Sequence, residues 1–263
     1  WARFDVDQAR RLARAGVASL RFDRAGVGDS LLEVDYEGMY DEARVADVSA
    51  ALDELERLGV GPVGVYGRCS GAFMSYVSAC LEPRIAGAAV CNNERYVWRP
   101  HETVEEMMQQ SVRSIGAISG RMLEGRQWRR LLNGDITPSA ALAKVVAAER
   151  KRAEARLSRY GVALSEDGRR VLGVRARFAD LARRGVAMRI VISDGDRAIE
   201  ELRAFLPDEA EWAALGNLVV TTIPDADHNM TPKAAREHVG REIDALIESM
   251  LARRATRTVA KAA

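Results

Sequence analysis

The sequence predicts an α/β fold, a mostly parallel sheet flanked by helices, and three observations predict it. Short apolar runs alternate with amphipathic stretches over the first ninety residues and again beyond residue 187, the pattern of strands joined through helices. One of these runs, beginning at Val63, breaks at Gly67-Arg68-Cys69-Ser70-Gly71 directly into a helix-forming stretch. Between Asn92 and about Ala187 the alternation stops and long helical patterns replace it, separated by Gly125, Gly134-Asp135 and Gly161.

In order, residues 4–15 read as an amphipathic helix and 17–23 as a strand. Residues 40–58 read as a helix, with Val45, Val48, Leu52 and Leu55 along one face and Gly59 ending it. The strand at 63–67 leads through the glycine-flanked turn to a helix at 70–80, and 85–91 is the next strand. Helices are expected over 103–122, 127–132, 138–160 and 169–184. Two β-branched runs follow: 188–193, which opens into Asp194-Gly195-Asp196, and 218–223, which opens into Pro224-Asp225-Ala226-Asp227-His228. A last amphipathic helix carries His238, and the segment from Leu251 onward, lacking an apolar stripe, is expected to fray.

The turn at Cys69 concentrates the chemistry. A turn this tight between strand and helix holds its central side chain out at the carboxyl end of the sheet and leaves no room for side chains two residues before or after, the positions of Gly67 and Gly71. The helix that follows begins with N–H groups lacking intrahelical acceptors, and these suit an oxyanion. Of three histidines, only His228 follows a buried-type strand in a short polar loop; His101 lies outside any strand-loop pattern and His238 reads as a solvated helix residue. Nucleophile, acid and histidine therefore occur in one chain order, with Asp194 and Asp196 both open as the acid. Asp225 and Asp227 sit too close in sequence to His228 to be first choices, although Asp227 is placed to brace the loop.

These residues carry a resemblance. Residues 11–30, ending in Asp23-Arg24-Ala25-Gly26-Val27-Gly28-Asp29-Ser30, resemble the helix, strand and turn that precede the nucleophile elbow of α/β-hydrolases. More narrowly, Arg21-Phe22-Asp23, the Gly-x-Cys-x-Gly elbow and Asp227-His228 resemble hydrolases encoded in exosortase- and exopolysaccharide-associated clusters. The resemblance implies Cys69 as nucleophile, Asp196 (with Asp194 the rival) as acid, His228 as base and the Ser70 backbone N–H as oxyanion donor. It also implies a discontinuous core over 1–94 and 185–253, a helical cap over 95–184 and a flexible tail over 254–263. Trp98, Met107, Met108, Met122 and Trp128 are candidate pocket residues of the cap. The chain enters the family pattern before the fourth strand, so the N-terminal strands are expected to be missing, together with the loop that supplies a second oxyanion donor.

A thiol at a helix N-terminus or beside an imidazolium ionises more readily than a free one, and a thiolate is both a good nucleophile and a good leaving group. That chemistry favours esters and thioesters over amides. The expected activity is an acyl hydrolase, esterase- or thioesterase-like; an acyltransferase using the same acyl-cysteine and a non-catalytic binding protein of the same fold are the alternatives.

Composition agrees with an enzyme domain: 263 residues, 48% of them hydrophobic, with a net charge of +1, give core enough for one domain and no electrostatic pull toward nucleic acid. Cys80 and Cys91 read as small buried hydrophobes, no Cys/His spacing suggests a metal, and three free thiols suit a reducing cytoplasm. No apolar run is long enough for a bilayer. A small acyl substrate, no cofactor, no metal, no membrane partner, and a homodimer through an open sheet edge complete the expectation.

Overall fold

The computed structural model describes residues 4–30, 38, 40–98, 103, 146, 153, 157, 160–163 and 165–262. Chain contacts divide it into two compact units, Trp1–Trp98 with Val174–Ala263, and Arg99–Gly173. The first unit holds the elements that follow, apart from residues 166–173 of the helix over 166–184.

Helix α1 spans Phe4–Arg14, α2 spans Val45–Arg57 behind a short 3-10 turn at Glu42–Arg44, β1 spans Val63–Arg68, α3 spans Ser70–Leu81 and β2 spans Ile85–Cys91. After α4 (Glu166–Arg184) come β3 (Ala187–Ser193), α5 (Ala198–Phe205), α6 (Glu209–Ala214), β4 (Leu218–Ile223) and α7 (Lys233–Ala262). The four strands form one parallel sheet in the order β1-β2-β3-β4. Parallel neighbours need a crossover between them, which α3 and the later helices supply.

Side chains alternate between the two faces of a strand, and this period assigns the helices. Gly64 and Tyr66 of β1, with Gly87, Ala89 and Cys91 of β2, face α7: a Cβ at Gly87 would come within 2.8 Å of Leu246 and Met250, and one at Gly64 within 2.8 Å of Met250. Gly67 has the opposite parity and faces α3, where its Cβ would meet Ser75. Helix α1 shares the α7 face. Phe4 packs into the cluster of Val191, Val239 and Ile243, and the Arg11 guanidinium donates two bonds of 2.8 and 2.7 Å to the Asp244 carboxylate. Both partners are partly exposed, so the apolar contact, worth roughly 1.5–3 kcal/mol for a buried side chain, outweighs the ion pair at up to about 1 kcal/mol. On the α3 face, Tyr76, Tyr96, Phe178 and Phe205 form an aromatic cluster with centroids 4.9 to 5.8 Å apart.

Three sequence expectations change. Residues 17–23 form no strand, and Leu20 and Phe22 are nearly half exposed; alternation in sequence makes a strand only where a neighbour completes its hydrogen bonds, and none of the described residues does. The last helix runs through Ala262, across the segment expected to fray. His238 is half-buried rather than solvated, 3.5 Å from the Glu242 carboxylate that also binds Arg189. The helices expected over 103–160, with Met107, Met108, Met122 and Trp128, fall almost wholly outside the described residues, as does His101, whereas Trp98 stacks on Tyr40 with centroids 4.5 Å apart.

Candidate active site

All four strands end along one edge of the sheet, because the parallel register sets Arg68 beside Cys91, Cys91 beside Val191 and Ser193 beside Ile223. The residue after β1 is Cys69, the third after β2 is Glu94, the third after β3 is Asp196 and the fifth after β4 is His228. Short extensions from adjacent strand ends converge there.

Cys69 is the N-cap of α3 and sits at φ 53°, ψ −120°, a left-handed backbone that a non-glycine residue holds only under constraint. Its N–H donates to the Cys91 carbonyl at 3.1 Å, and its own carbonyl accepts from Ala72 and Phe73 at 2.9 and 3.2 Å. The turn is thus pinned from the sheet and from the helix. A Cβ at Gly67 would lie 2.0 Å from the Gly71 carbonyl oxygen, so glycine is obligatory there. The same is not true of Gly71: a Cβ on it meets nothing within 4 Å. The crowding expected on both sides of Cys69 is one-sided, since the Gly71 backbone rather than its Cα substituent faces Gly67. Ser70 opens α3, and its N–H has no carbonyl four residues back within the helix.

Asp196 reaches His228, with Oδ2 2.7 Å from Nδ1, while its Oδ1 accepts from the Ala198 N–H at 2.9 Å. Asp194, the rival acid, is exposed and is not brought to the imidazole. The bond from Asp196 is the main reason that the His228 imidazole is raised to about 10, with a hydrogen-bonding contact to the Cys69 sulfur next and burial opposing both. At neutral pH the ring is held charged. Burial pushes the thiols of Cys80 and Cys91 each up to about 12.

The histidine loop is fastened by residues that sequence reasoning missed. Asn92, fully buried at φ 49°, donates from Nδ2 to Ser193 Oγ at 2.8 Å and to the His228 carbonyl at 2.7 Å, and accepts from the Ser193 N–H at 2.8 Å. Ser193 Oγ in turn donates to the Asp227 carbonyl at 2.6 Å. One asparagine side chain therefore joins the ends of β2 and β3 to the loop after β4. The only signal in the sequence is an Asn directly after a strand, a residue that tolerates left-handed backbone. Asp227 braces the loop, accepting from the Thr231 N–H; hydrogen bonds from the Thr231 side chain and then its N–H hold its carboxyl below the ordinary range. Arg68 donates to the Asn229 carbonyl at 2.6 Å and lies 5.7 Å over the Phe4 ring.

Glu94, Asp196 and His228 are, among the described residues, the group whose potential ligand atoms come within 4.8 Å of one another. The Nδ1 edge of His228 already hydrogen-bonds Asp196, and the Arg197 guanidinium lies 3.6 Å from Glu94, so the cluster is accounted for by internal charge pairing.

A parallel sheet with helices on both faces, and a cysteine, an aspartate and a histidine meeting at its carboxyl edge in that chain order, define an α/β-hydrolase class of molecule. The sequence model of the alpha/beta hydrolase family matches residues 1–237, and the chain belongs to that family. No curated protein sequence matches it. Solved structures similar to it include proline iminopeptidase from Mycobacterium smegmatis, 16% identical over 95% of this chain and 86% of that one, TM-score 0.48. The putative non-heme bromoperoxidase BpoC from Mycobacterium tuberculosis H37Rv is 17% identical over 92% and 88%, TM-score 0.48. A thermophilic esterase from Thermogutta terrifontis is 18% identical over 94% and 85%, TM-score 0.46. Among the described residues no helix is long and apolar enough to cross a membrane.

Proposed function

We propose that the protein is a cysteine-dependent acyl hydrolase acting on small esters or thioesters through a Cys69-His228-Asp196 triad. The observation that carries this reading is the 2.7 Å bond between Asp196 and His228 Nδ1 in a loop whose imidazole also contacts the Cys69 sulfur. In this mechanism the Cys69 sulfur attacks the acyl carbonyl, and the Ser70 N–H donates to the developing oxyanion. The tetrahedral species collapses as His228 gives its proton to the departing alcohol or thiol. Water then attacks the acyl-cysteine, His228 takes its proton, and the carboxylic acid leaves with the Cys69 sulfur restored. Asp196 keeps Nδ1 protonated and the ring oriented throughout.

The Gly-x-Cys-x-Gly elbow resembles that of the exosortase-associated hydrolases, and the segment over 95–184 is assigned as a helical cap. Three unpaired thiols favour a cytoplasmic setting. The test is intact-mass detection after mixing with p-nitrophenyl acetate or an acyl-CoA. The reading expects an acyl adduct in wild type that decays in water and never forms in Cys69→Ala. A stable adduct discharged only by an added alcohol would replace hydrolase with acyltransferase, and the absence of any adduct on folded protein would overturn both.

A further inference from the structure

His228 has a second carboxylate beside it. Glu94 Oε1 lies 3.9 Å from the same Nδ1 that Asp196 binds at 2.7 Å, and both carboxylates are largely buried, with side chains 14% and 6% exposed. The two acids come from different strand ends, β2 and β3, so their convergence on one nitrogen is not an accident of sequence proximity. We propose that Glu94 is a positioning residue of the site, a second anionic partner that shares with Asp196 the task of keeping the His228 Nδ1 protonated and its Nε2 free for the Cys69 sulfur. The inference rests on the Cys69-His228 reading and deepens it.

Charge balance supports this. Two shielded carboxylates repel unless cations lie between or beside them. Two cations are present: the His228 ring and the Arg197 guanidinium, 3.6 Å from Glu94 Oε1. With Asp196, Glu94, His228 and Arg197 all ionised, the cluster is neutral. Deprotonating His228 would leave one excess negative charge in a shielded place, so the cluster itself opposes that step. The other charged or polar groups nearby have their own partners. The Arg95 guanidinium lies 3.6 Å from Glu201, and Arg68 is spent on the Asn229 carbonyl. Cys69 faces the ring from the β1 end, and Asp227 points its carboxylate back into its own loop at the Thr231 N–H. At 3.9 Å Glu94 is beyond a direct hydrogen bond, which makes it an electrostatic partner while Asp196 is present and a replacement acceptor when Asp196 is gone.

The test is a histidine side-chain NMR titration of 15N-labelled protein, simple because the chain has three histidines and the His228 signal is assigned by its loss in His228→Gln. It is run on wild type, Asp196→Asn, Glu94→Gln, Glu94→Asp and the Asp196→Asn/Glu94→Gln double variant, alongside the pH dependence of Cys69 alkylation by iodoacetamide. The expected result is a His228 midpoint lowered in Glu94→Gln, intermediate in Glu94→Asp, and lower in the double variant than in Asp196→Asn alone by a shift that makes alkylation near neutral pH several-fold different between the two. If Asp196→Asn and the double variant titrate and alkylate alike, Glu94 is only the salt-bridge partner of Arg197 and the proposal is overturned. Neither readout requires acyl turnover. A protein that shows the Glu94 effect without forming an acyl adduct loses the hydrolase reading and keeps this one, and an active hydrolase without the effect does the reverse.

Discussion

Cys69 and Cys91 stand side by side at the carboxyl ends of neighbouring strands, joined by a backbone hydrogen bond of 3.1 Å from one to the other, and their surroundings differ. Cys91 is the last residue of β2, faces α7 and is fully buried, with its thiol pushed up to about 12. Cys69 is one step past the end of β1, on a left-handed turn that lifts it out of the sheet toward His228. One residue of chain and one unusual φ angle separate an inert thiol from a candidate nucleophile. In the proposed reading, reactivity follows from what the backbone does after the strand ends rather than from residue type.

The largest effect that tests this contrast is on thiol modification. Iodoacetamide at neutral pH should label the native protein at Cys69 first, Cys69→Ala should remove that rapid phase entirely, and Cys91→Ala should leave its rate within about a factor of two. Peptide mapping of the labelled protein decides between them. Rapid labelling of Cys91 in folded protein would mean that the two environments are not distinct.

How much of this was readable in advance follows from the same two strands. Strands β1 to β4, the Cys69 and His228 positions and an acid at Asp194 or Asp196 are written in local pattern: apolar runs, a glycine-flanked turn, and a chain order that needs no knowledge of distance; choosing Asp196 over Asp194 takes the 2.7 Å contact with His228. Asn92 and Glu94 are not written that way. They lie in a polar Cys91-Asn92-Asn93-Glu94 stretch with no periodicity, and their importance arises only when β2 is laid between β1 and β3. The expected strand at 17–23 failed for the converse reason, since its pattern was local and the partner a strand needs was not. The one-sided crowding at Gly67 and Gly71 also required the turn itself, because two identical residues placed symmetrically in sequence face different neighbours.

Gly67→Ala is the next largest effect. Its methyl group would come 2.0 Å from a backbone oxygen and 2.7 Å from Ser75 Oγ, and backbone cannot step aside as a flexible side chain can. A loss of about 1–3 kcal/mol or more in unfolding free energy is expected, read from urea denaturation, together with loss of rapid Cys69 labelling as the turn shifts. Retention of both would show that the turn is softer than its geometry.

Smaller per step of the measurement is the pH dependence of stability at His228. Its folded ionisation is raised to about 10 from the ordinary 6.5, so the native state binds the proton more tightly than the unfolded chain. The resulting stabilisation is complete below about pH 6.5 and is lost as pH rises toward 10, with a slope of at most about 1.4 kcal/mol per pH unit for one proton. Denaturation of wild type and His228→Gln at pH 6, 8 and 10 checks the sign: the advantage of wild type should shrink steadily as pH rises. An advantage that grew would place the charged imidazole in an environment that disfavours it.

Gly71→Ala is the smallest effect and the sharpest partner to Gly67→Ala. Gly71 lies in the first turn of α3 with open space where a Cβ would go and no left-handed φ to relieve. Alanine there should be neutral or stabilise the fold by up to about 1 kcal/mol, because glycine loses more backbone freedom in a helix than alanine does. The helix N-terminus behind Cys69 would be stiffened and the Ser70 N–H left in place, so labelling at Cys69 should persist near the wild-type rate. The two glycines thus separate what the turn requires from what merely accompanies it. A Gly71→Ala protein as damaged as Gly67→Ala would mean that the constraint on this side of Cys69 comes from something other than contact with the described neighbours.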